Sequence, residues 1–218
     1  LYAVYAVLQI MITRAQAALM EQVGTLENGS LELSAEAGVP GPGMLVGSLL
    51  SIVITLWIAV SWHRYVLREE LPRGWLPAWH GGAVLRYLGR SIVVGLCALG
   101  AALLTLIPLG FVAGGLAAVA ALAAGAYVFY RLCPALPASA VDAPMSLREA
   151  WSATEGAGDA IFTLVGLTIL ASLILSVPNM VAGDPTSVIS LVYSLAVGWV
   201  FMLVGASVLT TFYGHYVE

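Results

Sequence analysis

From Ser91 to Tyr130 the chain runs for 40 residues without an Asp, Glu, Lys or Arg. Further charge-free runs cover Val39 to His63, Ala160 to Gly183 and Pro185 to Val217. In hydrocarbon a backbone must satisfy its own N–H and C=O groups, so such runs fold as membrane-crossing helices. One crossing takes about 20 residues at about 1.5 Å each. The longest run therefore holds two crossings and each of the others holds one. Of the 218 residues 61% are apolar and only 9% are charged, against about 25% charged in a soluble domain. This excludes a cytoplasmic globular enzyme and a disordered chain. A nucleic-acid partner is excluded too, because eight cations, all Arg, face twelve acids and form no basic stripe.

The expected architecture is all-α: a polytopic transmembrane helical bundle in one domain, residues 1–218. Six spans are placed near 1–20, 44–62, 91–107, 111–130, 160–177 and 187–212, as three hairpins with short cytoplasmic interfacial helices. Pro108-Leu109-Gly110 is the expected turn inside the longest run. Asp184-Pro185 reads as the N-cap and first residue of the last span. The chain is apolar from Leu1 and is expected to start inside its first membrane helix. Arg14 then falls near the far end of that helix, where its side chain can snorkel to the headgroups.

Orientation follows from the Arg residues. The loop at 13–42 has Arg14 with Glu21, Glu27, Glu32 and Glu36, whereas 63–90 carries Arg64, Arg68, Arg73, Arg86 and Arg90. Arg131 and Arg148 lie in 131–159. Alternate loops split seven to one, which places the Arg-rich side and both termini in the cytoplasm of a bacterial inner membrane. Two Arg-rich segments read as interfacial. Ser146-Leu-Arg-Glu149 has capping-box spacing and opens a short helix through Trp151, ended by Gly156 and Gly158. Trp75 and Trp79, followed by Arg86 and Arg90, set aromatic rings and guanidinium groups at headgroup level.

Even-numbered spans leave the membrane through similar clusters: Trp62-His63-Arg64-Tyr65, Phe129-Tyr130-Arg131 and Tyr213-Gly214-His215-Tyr216. An internal repeat explains this, and so does a plain aromatic belt with an inside Arg bias. The candidate lipid or partner contacts are therefore Trp62, His63, Arg64, Tyr65, Trp75, Trp79, Arg86, Arg90, Arg131, Arg148, Trp151, His215 and Tyr216. Small residues mark helix packing: Gly110, Gly114, Ala117, Ala121 and Gly125 around the fourth span, and Gly198 and Gly205 on the sixth. Cys97 and Cys133 form neither a CxxC motif nor a disulfide framework.

No catalytic, cofactor or metal site is expected. The last five spans lack ionisable groups at mid-membrane, which disfavours ion-coupled transport. Ser48, Ser51, Thr55, Thr163, Thr168 and Ser172 could line a path for a neutral solute, although such hydroxyls more often bond their own backbone. His63 with Glu69 and Glu70 is the one His–acid cluster, without HExxH register or a third ligand. Arg64, Arg68, Glu69 and Glu70 are spaced for ion pairs along one helix end.

Three segments carry a resemblance: Ala59–Glu70, Tyr130–Asp142 continuing through Ser146–Trp151 and Thr154–Gly156, and Leu209–Glu218. Together they resemble a family of inner-membrane proteins of Rhodobacter-like alphaproteobacteria. In organisation the chain is similar to the six-helix membrane-domain group named after glycerophosphodiester phosphodiesterases. The resemblance implies six spans with cytoplasmic termini. It implies no activity, since the acidic and His motifs of the phosphodiesterase domain are missing. The expected role is a non-catalytic accessory or assembly subunit of a larger membrane complex, photosynthetic or respiratory. Membrane lipids and other integral membrane proteins are its expected partners. A lipid or small-solute facilitator is the alternative, and a headgroup enzyme using His63 ranks last.

Overall fold

The computed structural model describes residues 1–27, 42–72, 74–182, 184 and 186–217, with side chains of 19–27 left aside. Arg73 and Pro185 lie outside the described residues, as do Glu21, Glu27, Glu32 and Glu36 as side chains. Among the described residues eight helices follow in order: α1 (Tyr2–Glu27), α2 (Pro42–Arg68), α3 (Gly81–Ala113), α4 (Gly115–Leu132), α5 (Ala135–Ala140), α6 (Leu147–Ala153), α7 (Gly158–Ala182) and α8 (Val188–Tyr216). No strand occurs among the described residues. Among the described residues five helices, α2, α3, α4, α7 and α8, are long and apolar enough to cross a membrane. The protein is therefore an all-helical integral membrane protein in contact with lipid. The expected first span, α1, is helical but is not among the five, because Gln9, Arg14 and Gln16 interrupt its apolar residues.

The expected turn at Pro108 is corrected. α3 continues through Pro108 to Ala113, and the chain turns at Gly114, whose φ is +53°. That value falls in the left-handed region that only glycine enters freely. A proline inside a membrane helix removes one N–H bond without ending the helix. At 33 residues, α3 is about 50 Å long, longer than a hydrocarbon core of about 30 Å. Its first turns, with Arg86 and Arg90, therefore belong to the span's own helix rather than to a separate interfacial one.

The chain divides into two compact units: Leu1–Ile58 with Ser176–Met202, and Ala59–Leu175 with Leu203–Glu218. In the first, α1 lies along the early turns of α8. The Tyr2 hydroxyl donates to the Leu195 carbonyl and its ring lies 5.8 Å from that of Trp199. Asn179 donates to the Ser194 hydroxyl at 3.1 Å. The N-cap of α8 is Ser187, whose Oγ accepts from the Ser190 N–H at 3.2 Å. Asp184, the expected cap, instead accepts from the Thr186 N–H and hydroxyl in a turn before the helix.

In the second unit, α4 packs on α3 through its small residues. Ala117, Ala121 and Gly125 are buried. A Cβ on Gly125 would come within 3.1 Å of the Ala98 carbonyl and 3.2 Å of the Ala102 Cβ, so the backbones approach closely there. Gly110, Gly114, Gly198 and Gly205 face open space instead. Gly114 serves the turn, which is what its spacing from Gly110 concealed. The segment between α4 and Ser146 carried no expected element. It folds as α5, all six residues of which are buried. The capping box forms as expected, with Ser146 and Glu149 each accepting from the other's backbone N–H. α6 ends at Ala153, and Gly156 (φ +90°) turns the chain into α7, which Gly158 begins.

Candidate functional site

Polar groups of the second unit gather where α2 and α4 end, α3 begins and α8 ends. His63 is fully buried. Its Nδ1 lies 2.8 Å from the Thr210 hydroxyl and its Nε2 3.3 Å from the Tyr87 hydroxyl. Thr210 donates its own proton to the Ala206 carbonyl at 2.7 Å, so toward His63 it can only accept. Nδ1 therefore carries the proton, and Nε2 accepts from Tyr87. The result is a one-directional chain from Tyr87 through His63 and Thr210 to the α8 backbone. It ties α3, α2 and α8 together with neutral groups. Cys133 is also buried, and burial pushes its thiol well above the usual range; both cysteines are free thiols.

One residue on, Arg64 is 6% exposed. Its Nε and Nη2 donate to the two carboxylate oxygens of Glu70, at 2.9 and 2.6 Å. Its Nη1 donates to Asp142 at 2.7 Å and to the Ala140 carbonyl at 3.0 Å. Arg86 also donates to Asp142, and Arg68 to the Val141 carbonyl. Asp142 is the only acid between Glu70 and Glu149, and three arginines converge on it. Hydrogen bonds from Arg64 hold the carboxyls of Glu70 and Asp142 below the usual range, against a smaller opposing effect of burial. The ion pair expected along the helix end forms between Arg64 and Glu70, six residues apart rather than four or five. Glu69 at φ +53° turns the chain, and Glu70 folds back onto Arg64.

Arg131, 6% exposed, donates to the carbonyls of Thr154 at 2.6 Å and Trp151 at 3.0 Å. Its guanidinium lies 4.4 Å from the centre of the Trp151 ring. Thr154 returns a hydroxyl bond to the Arg131 carbonyl at 3.0 Å. The last turn of α6 is thereby capped by a cation.

His63, Arg64 and Arg131 were expected at the lipid or partner surface. All three are inside, where each makes hydrogen bonds to the protein. Tyr65, Arg86, Trp75, Trp79, Arg148, Trp151 and His215 are exposed, with Trp75 fully so, while Trp62, Arg90 and Tyr216 are partly buried. Trp62 and His215 line a groove of about 490 Å³ between α2 and α8. His63 bonds to Thr210 and Tyr87 and to neither Glu69 nor Glu70, so the cluster suggested by the sequence is not assembled; the histidine beside Glu70 is His80, at 3.5 Å. The membrane hydroxyls Thr55, Thr163 and Ser172 bond their own helix backbones, and Thr168 pairs with the Tyr130 hydroxyl at 2.9 Å.

Sequence reasoning missed Tyr87, Asp142, Thr154 and Thr210. Asp142 had a signal: it is the only acid between Glu70 and Glu149, in a stretch that holds Arg73, Arg86, Arg90, Arg131 and Arg148. Tyr87 and Thr210 had none, since their roles depend on which helices meet. Among the described residues no group of three His, Cys, Asp or Glu could hold a metal. Comparison with protein-family models, with curated proteins and with solved structures found no match.

Proposed function

We propose that this protein is a non-catalytic subunit of a larger complex in a bacterial inner membrane, acting as an accessory or assembly factor through its helix faces and surface segments. One observation carries this reading: the buried side chains of His63, Arg64 and Arg131 in the second unit bond to the protein's own elements. His63 uses both ring nitrogens, Arg64 holds two carboxylates, and Arg131 caps α6. The helices expose large apolar residues such as Phe111, Val112, Met180 and Ile189, and such surfaces meet lipid or other helices. In this reading α1 is a sixth crossing: its 26 residues reach about 39 Å. The gathering of Arg64, Arg68, Arg86 and Arg131 supports a cytoplasmic assignment for that end, with both termini on the same side. Extraction of the native protein in mild detergent, followed by mass spectrometry of what co-migrates, tests the proposal. Stoichiometric membrane subunits, respiratory or photosynthetic, are expected. Migration as an isolated chain overturns it.

A second reading, passage of a small neutral solute, is favoured by one feature of the first unit. A cavity of about 110 Å³ there is lined by Tyr5, Gln9, Thr13 and Ser194, polar groups on helices with mostly apolar partners. Proteoliposomes that swell in neutral polyols, and stop swelling with Gln9→Leu, would favour this reading over the first.

A further inference from the structure

We propose that the groove between the ends of α2 and α8 binds one phospholipid whose headgroup carries N–H donors, of the phosphatidylethanolamine class. Trp62, Val66 and Leu67 form the α2 wall, and Ser207, Thr211 and His215 stand along α8. Both walls belong to helices apolar enough to span a membrane, and Tyr65 and Val66 are exposed beside it. The medium that fills the groove is therefore lipid.

The hydroxyls select which lipid. Ser207 donates its proton to the Leu203 carbonyl at 2.8 Å, and Thr211 donates to the Ser207 carbonyl at 2.9 Å. Thr210, between them, donates to Ala206 and accepts from His63. Each hydroxyl proton is thus turned into the helix, and what these oxygens retain is lone pairs. A ligand's polar end must then donate. An ethanolamine ammonium has three N–H bonds, whereas choline has the same charge and none.

The proposal does not rest on other subunits being bound. Its test uses the full chain in detergent, stripped of lipid and offered phosphatidylethanolamine, phosphatidylcholine or phosphatidylglycerol with matched acyl chains, read by native mass spectrometry. One retained phosphatidylethanolamine is expected, at about fivefold the occupancy of phosphatidylcholine, the effect of one net hydrogen bond. Thr211→Val keeps the shape and removes an acceptor, and Ser207→Ala does the same one turn away. Either is expected to cut the preference, and the pair together to bring the two lipids level. Equal retention in the unmodified protein overturns the proposal, as does a preference unchanged in the double variant. So does phosphatidylglycerol binding best while the other two are equal, which would mark charge rather than donors as the selector.

Discussion

Glu70 returns to Arg64 twice. Its backbone N–H reaches the Arg64 carbonyl at 3.4 Å, and its carboxylate takes both Nε and Nη2 of the guanidinium. Glu69, in the left-handed region, makes the reversal possible at a cost of about 1–2 kcal/mol. Asp142, also at positive φ, closes the other side of the same guanidinium. Two unfavourable backbone positions thus serve one buried cation.

Removing that cation tests the arrangement. Arg64→Ala leaves two carboxylates and a buried carbonyl without their shared donor, and is expected to cost about 3 kcal/mol, the lower end for breaking a buried pair because Glu70 and Asp142 are partly wet. Arg64→Lys keeps the charge but loses the two-point fork, so an intermediate loss is expected. Thermal unfolding in detergent, followed by loss of the monodisperse size-exclusion peak, reads both. Equal melting temperatures for the unmodified protein and Arg64→Ala would contradict the account.

The same contacts predict an acid-sensitive stability. The carboxyls of Glu70 and Asp142 titrate lower in the folded protein than when unfolded, chiefly because Arg64 donates to them. A carboxylate lowered in this way stabilises the fold above its unfolded value of about 4, and the contribution disappears as pH falls through the folded value. Melting temperature is expected to be level from pH 7 to about 5 and to fall below about 4. In Arg64→Ala the acid slope should shrink. A slope of the same size in both proteins would assign acid sensitivity to other groups.

Thr210 offers a sharper test of the buried chain. Thr210→Val is nearly the same size but leaves the Nδ1–H of His63 without an acceptor, at a cost of about 1–3 kcal/mol. Thr210→Ser restores the oxygen and is expected to recover most of the loss. If the valine variant melts with the unmodified protein, the deduced direction of the chain from Tyr87 to Ala206 is wrong.

The α3–α4 contact predicts a contrast between glycines. Gly125→Ala presses a methyl against the Ala98 carbonyl, which belongs to a helix backbone and yields little. A loss of about 1–3 kcal/mol is expected, and Gly125→Leu should prevent recovery of folded protein. Gly110→Ala, facing open space, should be neutral or slightly stabilising, because alanine favours the helix. Parallel melting curves for Gly110→Ala and Gly125→Ala would refute the close approach.

The sequence by itself determined what depends on local pattern: helices over the charge-free runs, the capping box at Ser146, the small-residue face from Ala117 to Gly125, and a membrane as the solvent. Those features follow from hydropathy, spacing and hydrogen bonds between near neighbours, which one chain segment carries alone. Tertiary structure decided the rest. It moved the turn from Pro108 to Gly114, since a membrane helix tolerates a proline when its other bonds hold. It buried α5, and it drew His63, Arg64 and Arg131 inward, where Thr210, Asp142 and Thr154 wait on distant segments. A polar side chain near a membrane helix end looks the same in sequence whether it faces headgroups or a partner helix. Only the meeting of α2, α3 and α8 supplies the donor, Tyr87, and the acceptor, Thr210, that satisfy the buried His63.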